Sequence, residues 1–457
     1  MTTIKKITAQ QRLDSRGNPT VQVQVETKDG FFRALVPSGA STGAHEAVEL
    51  RDGKARDAAT KGIDTKAYFG KGVMTAVGNV NEILGPALVK SGLDVTTQLK
   101  DIDKAMIDLD GTPNKARLGA NAILGVSMAC ARAGAAARGV PLYEYLRREC
   151  GTESDPYVLP VPFFNVLNGG VHAGNTLAFQ EFMLAPTGAS SFEEAIQIGS
   201  EAYHSLKNVI AKKHGMPATS IGDEGGFAPP LTRPEEAFDL LTEAVKEIGG
   251  SDRVQFGLDP ASTEFFDAEK REYDLGFKDK QPSKLSPDGL AQLYHHLAKN
   301  YPLALLEDPF AEDDWASWTA FTESCRNIPL EIVGDDLLVT NVERVREAVS
   351  KKACNSMLLK INQIGSVTEA IAAAQLAFSN GWAVFASHRS GETTDDFLSD
   401  LTVALNTGHL KAGAPARGER VAKYNRLLDI EAELKAKGQR VVYAGANFGR
   451  RGKAANE

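Results

Sequence analysis

The chain has 457 residues, too many for one ordinary core, so two domains are expected. Hydrophobic residues make up 42% and charged residues 24%, the balance of a soluble globular protein, while a formal net charge of −8 gives no electrostatic case for nucleic acid or anionic membrane as partner. Four widely spaced cysteines without a CxxC pair argue against a zinc site or a disulfide framework, and no N-terminal apolar segment or 18-residue apolar stretch stands out; a cytoplasmic location is the expectation.

In chain order, Val21, Val23 and Val25 alternate with polar residues, Asp29-Gly30 supplies a turn, and the run FFRALV returns as a second strand. A loop, Ser38 to Gly43, superficially resembles a phosphate loop but lacks its lysine. Ala- and Leu-rich helices are predicted over about 117–149, broken near Gly139-Val140-Pro141. These features predict an α+β domain over 1–143. A connector bearing Pro and Ser leads into the second region, 144–445, where strand signals alternate with marked helix starts. Thr232 precedes Pro234 and an acidic turn, Ser286-Pro287 opens a helix, Ser366 and Glu369 form a capping box, and a further helix is expected near Thr393. Residues 446–457 read as a polar tail.

Between Asp259 and Lys411 six apolar runs each stop at an ionisable residue: Asp259, Glu307, Asp335, Lys360, His388 and Lys411. From Glu307 onward they recur 23 to 28 residues apart, about one strand, one helix and two loops. Loops are wet, so a single polar strand end means little; three acids followed by three bases suggest a barrel whose rim is an active site.

Three carboxylates on one rim repel unless a cation lies between them, and an oxygen-only set suits Mg²⁺. Asp335 is the candidate and Asp336 the alternative, because adjacent strand residues face opposite ways. Lys360 and Lys411 end apolar strands near other cations, which predicts lowered pKa values and a neutral amine able to act as a base. His388, Arg389 and Ser390 form a basic, hydroxyl-bearing turn suited to phosphate or carboxylate. Glu224, flanked by glycines in Gly222–Gly226, is placed for proton transfer. Glu181 interrupts an apolar run, and His172 sits in a glycine-rich loop of the kind that covers substrates. Together these suggest proton abstraction beside a carboxylate, then loss of a leaving group, with metal neutralising the charge that develops.

The segments DSRGNPTV, VPSGASTG, LPVPFFNVLNGG, IGDEGG, LLEDPFAEDDW, GDDLLVTN, LLKINQIG, SHRSGET and KAGAPARGER resemble the enolase family, from one end of the chain to the other. The resemblance implies an N-terminal α+β domain on a C-terminal TIM-type barrel with antiparallel early strands. It implies a glycolytic and gluconeogenic lyase, two Mg²⁺ ions per site and a homodimer. Asp259, Glu307 and Asp335 would hold one Mg²⁺, and Ser41 the second with the substrate phosphate. Lys360 would take the proton, Glu224 would protonate the departing hydroxyl with help from Glu181, and Arg389 and Ser390 would bind phosphate. Lys411 would meet the substrate carboxylate, and His172, Gln180 and His388 would line the site. The chain departs from the family pattern at Val171, Asn175 and Thr176, where bulkier residues would stiffen the covering loop, at Pro260 and Thr263, and in an extra stretch at Ala55–Ala67. Two competing readings are a related superfamily enzyme acting on another carboxylate, disfavoured by Ile361-Asn362 after Lys360, and a non-catalytic binding role, which has no use for these groups together.

Overall fold

The computed structural model describes residues 1–39, 43–54, 62–154, 156–279 and 281–449. The expectation for Ser41 and most of the extra stretch, residues 55–61, lie outside these residues. The N-terminal region opens with an antiparallel sheet of β1 (Lys6–Leu13), β2 (Pro19–Thr27) and β3 (Gly30–Leu35), in that order. Val21, Val23 and Val25 are buried on one face, as their alternation predicts. β1 carries a weak signal because it is an edge strand: only Ile7 and Ala9 of its side chains are buried. The helix Ala120–Ala137 packs on this sheet so closely that a Cβ on Gly125 would lie 2.6 Å from Val23 Cγ2. Contrary to the expectation that no such stretch exists, this helix is long and apolar enough to cross a membrane, yet 83% of it is buried inside the fold. The next helix, Leu142–Cys150, spans residue 143, where the domain boundary is expected.

The second region forms a closed eight-stranded barrel. Its strands are β4 (Val161–Asn168), β5 (Glu181–Ala185), β6 (Gln255–Asp259), β7 (Leu303–Glu307), β8 (Glu331–Gly334), β9 (Ser356–Leu359), β10 (Ala383–Ser387) and β11 (His409–Lys411), adjacent in sequence order. β5 runs antiparallel to both neighbours and every other pairing is parallel. This reversal matters for the site. Glu181 is the first residue of β5, and it pairs with Asn168 on one side and Asp259 on the other, so it stands at the rim where the other strands end.

Phe163, Met183, Leu305, Val333, Leu358 and Phe385 fill the barrel interior, and Phe448 closes the floor. Phe448, inside the expected tail segment 446–457, is itself buried. Helices begin where the caps predict: Glu236 accepts the Thr232 and Arg233 N–H groups (2.9 Å each), Ser286 accepts from Gly289, and Ser366 from Glu369. One start is displaced, from Thr393 to Phe397. Asp395 is pulled instead into a bidentate pair with Arg132 (2.7 and 2.9 Å), which ties the N-terminal region to the barrel. Ser38 and Gly391 exchange two backbone hydrogen bonds of 2.8 Å, bringing the start of the 38–49 segment onto the barrel mouth.

Candidate active site

Lys411 ends β11, and its buried side chain reaches a cluster of carboxylates. Its Nζ lies 2.7 Å from Glu307 Oε2, 3.0 Å from Glu181 Oε2 and 3.7 Å from Asp259 Oδ2. Lys360, directly after β9, pairs with Asp335 Oδ2. The sequence predicts depressed pKa values for both lysines, and the structure corrects this. Burial does favour the neutral amines, but Asp335 at Lys360, and Glu181, Glu307 and Asp259 at Lys411, outweigh it and raise both. Strand-end position predicts burial; only the fold reveals which acids are in reach.

The carboxylates divide accordingly. Asp335 is buried but held low by Lys360, and its Oδ1 accepts from Gln363 Nε2 at 2.8 Å. Asp259, Glu307, Asp308 and Asp336 are pushed up by burial and by neighbouring carboxylates, Asp335 and Glu181 among them. Asp308 adopts φ 39° and accepts the consecutive N–H groups of Asp335 (2.8 Å) and Asp336 (2.9 Å), which fixes the orientation of that pair. Among the described residues, candidate ligand atoms within 4.8 Å of one another occur in Asp308–Asp335–Asp336 and in His172–Glu181–Glu224. The expected trio Asp259, Glu307 and Asp335 shares the rim, its charges met by Lys411 and Lys360.

Glu224 is held on a tight loop in which Gly222 N–H bonds the Gly226 carbonyl at 2.8 Å. A Cβ at Gly226 would lie 2.2 Å from Asn168 Oδ1, so the close approach to β4 requires glycine. Glu224 Oε2 accepts from Asn165 Nδ2 at 2.7 Å and faces His388 Nε2 at 3.3 Å, and Oε1 lies 3.7 Å from His172 Nδ1. Burial raises its pKa, but His388, His172 and Arg420 outweigh that and hold the carboxyl well below the usual range. Gln180 Nε2 reaches Asp259 Oδ2 at 3.5 Å. His172 lies on a 3-10 turn, Gly170–His172. The His172 loop is tied down less by Val171, which is exposed, than by Asn175, whose side chain donates to the carbonyls of Asn168 and Pro229 (2.9 Å each), and by Lys278 Nζ on the Ala173 carbonyl (2.9 Å). Thr176 adds a 3.2 Å bond to the Leu231 carbonyl.

Arg389 and Ser390 are buried after β10. Glu46, from the N-terminal region, grips Arg389 with both oxygens (3.0 and 3.1 Å), and Asn362 accepts from the same guanidinium at 2.9 Å. Thus Gln180, Glu181, Glu224, Asp259, Asp335, Lys360, His388, Arg389, Ser390, Lys411 and His172 all line one cleft, with Glu307 buried just beneath. Sequence reasoning passed over Glu46, Asn165, Gln363 and Arg420. Asn165 did leave a signal, as a polar residue inside an otherwise apolar strand; Glu46 left none beyond its place after the Ser38–Gly43 loop.

Comparison with known proteins accounts for both regions. Residues 4–146 match the family described as enolase, N-terminal domain, and residues 156–452 match enolase, C-terminal TIM barrel domain. The chain is 54% identical over 441 residues to an enolase from Mastigamoeba balamuthi, covering 95% of this chain and 97% of that one. With a closed barrel where the C-terminal TIM barrel domain matches, the chain belongs to the enolase family.

Proposed function

We propose that the family's carbon–oxygen lyase reaction, reversible dehydration of 2-phosphoglycerate to phosphoenolpyruvate, is carried out here by Lys360 and Glu224. The observation that carries this reading is their placement. Lys360 follows β9, whereas Glu224 is anchored to Asn165 of β4, so a base and an acid approach one cleft from different sectors of the ring.

In the dehydration direction Lys360 Nζ takes the α-proton and the electrons of that C–H bond form the double bond. The β-carbon–oxygen bond breaks, and the leaving hydroxyl takes a proton from Glu224 to become water. Glu181 assists; His172, Gln180 and His388 exclude water and orient the substrate. Arg389 and Ser390 bind the phosphate, and Lys411 meets the carboxylate. The substrate-free protonation pattern, a charged Lys360 and an ionised Glu224, matches the state after dehydration. In the hydration direction the two groups exchange roles: Lys360 delivers the proton and Glu224 activates water.

The acids at the rim fit a divalent metal: Glu181, Asp259, Glu307, Asp308, Asp335 and Asp336 offer carboxylate oxygens and outnumber the two lysines that face them. Asp259, Glu307 and Asp335 would hold one Mg²⁺, and Ser41 the second. Bound there, the metal would neutralise the second negative charge that develops on the substrate carboxylate and relieve Asp335 of its pairing with Lys360. We also place the protein in the cytoplasm as a homodimer acting on a small phosphorylated hydroxy acid; four buried cysteines with no disulfide among the described residues support a reducing compartment.

The test follows absorbance of the enol product with Mg²⁺ and with chelator. Turnover is expected only with Mg²⁺; none in saturating Mg²⁺ would sink the reading. Lys360→Ala is expected to stop α-proton exchange and lower turnover by about 10²–10⁴-fold. Glu224→Gln should block dehydration while leaving exchange, and loss of exchange in both variants would undo this division of labour.

A further inference from the structure

Arg420, in the helix Gly418–Ala436, is fully buried beneath the rim. Its four terminal N–H protons have four partners. Nη1 lies 2.7 Å from His388 Nδ1 and 2.6 Å from the Arg389 carbonyl. Nη2 lies 2.9 Å from the Asp223 carbonyl and 2.7 Å from the Ser390 carbonyl. A guanidinium has donors only and does not lose its proton in proteins, so the contact with His388 has one polarity: Arg420 donates and Nδ1 accepts. A neutral imidazole that accepts at Nδ1 carries its proton on Nε2. Burial favours the neutral ring, and together with the adjacent guanidinium it outweighs the pull of Glu224. Nε2 is the atom that faces Glu224 Oε2 at 3.3 Å.

We propose that Arg420 is a positioning residue for the reaction: it fixes His388 as the Nε2–H tautomer and clasps the Glu224 loop to the phosphate loop. The proposal rests on Glu224 as the acid and Arg389–Ser390 as the phosphate site. With Nε2 protonated, His388 carries a proton on the ring atom nearest Glu224, 3.3 Å from Oε2 and without a hydrogen-bond partner of its own, and cannot take a proton from that acid. The proton leaving Glu224 has the substrate hydroxyl as its destination, and the carboxylate left behind keeps its Asn165 donor with the His388 ring proton nearby. With the other tautomer, a ring lone pair would face that carboxylate and compete for the proton.

The experiment is ¹⁵N NMR of the full-length protein labelled at its histidine rings, with His388 assigned through the signals lost in His388→Gln. A protonated Nε2 and an unprotonated Nδ1 are expected; a proton on Nδ1, alone or together with Nε2, overturns the proposal without any further variant. In Arg420→Gln the side-chain oxygen can accept from Nδ1–H, so mixed tautomers and a fall in kcat are expected. Arg420→Lys, donor only, should restore the Nε2–H signature and about tenfold in kcat over Arg420→Gln. A wild-type tautomer pattern in Arg420→Gln overturns the proposal. Should that variant not fold, the native spectrum decides the tautomer, and an Arg420→Lys spectrum without Nε2–H counts against it. Absence of turnover on 2-phosphoglycerate would overturn the functional reading separately, since the spectrum requires no activity.

Discussion

The two ends of the barrel use the same strands to opposite purpose. β11 begins with His409 at the floor and ends with Lys411 at the rim; β8 begins with Glu331 and hands over to Asp335. At the floor, His409 Nε2 meets Glu331 Oε1 at 2.7 Å, and the ring stacks on Phe385 with centroids 4.6 Å apart. One base faces one acid inside an aromatic plug that includes Phe163 and Phe448. At the rim, Lys411 and Lys360 face a surplus of buried carboxylates that raise one another's pKa. The floor is balanced and the rim is not. A surplus of buried charge is costly unless a ligand resolves it, and that imbalance separates a binding site from a structural pair.

Removing a charge from each end tests the contrast most severely. Lys411→Met leaves Glu181, Glu307 and Asp259 without their shared cation, and turnover on 2-phosphoglycerate is expected to fall by about 10³-fold. Activity within tenfold of wild type would mean that the rim surplus has no catalytic meaning. Glu331→Ala leaves His409 buried without its carboxylate and is expected to cost about 3–5 kcal/mol in denaturant unfolding, with kcat changed by no more than about threefold. A large kcat effect without a stability loss would erase the distinction between the ends.

A third buried acid sharpens the comparison because it belongs to neither end. Asp103 accepts from Thr368 N–H (3.1 Å) and Oγ1 (2.8 Å) where the N-terminal region meets the barrel helix Val367–Ser379, and burial pushes its pKa up to about 6. The native state then holds this proton more tightly than the unfolded chain does. Its contribution is greatest below the unfolded value near 3.8 and is lost as pH rises through about 6, a span of about 3 kcal/mol. Asp103→Asn should flatten that slope in unfolding measurements between pH 4 and 6; an unchanged slope would show that this carboxyl titrates normally.

Much of the site was legible because barrel strands impose a simple rule: an apolar run is buried, and the residue that ends it stands at the rim. That rule found Asp259, Glu307, Asp335, Lys360, His388 and Lys411. It failed for Glu46, which meets Arg389 from 343 residues away, and for β1, whose edge position leaves most of its side chains in water. It also gave the wrong protonation for Lys360, because burial can be inferred from neighbours in the chain whereas the Asp335 carboxylate arrives from another strand.

The apolar runs, the helix caps and the identity of the ionisable groups that end the strands were thus determined by the sequence itself, since each depends on contacts within a few residues. Which acid meets which base, which histidine nitrogen carries the proton, and how the N-terminal region closes over the barrel were decided by tertiary structure alone. Electrostatic interaction depends on distance through space and on exclusion of water, and neither quantity is written in the linear order of residues.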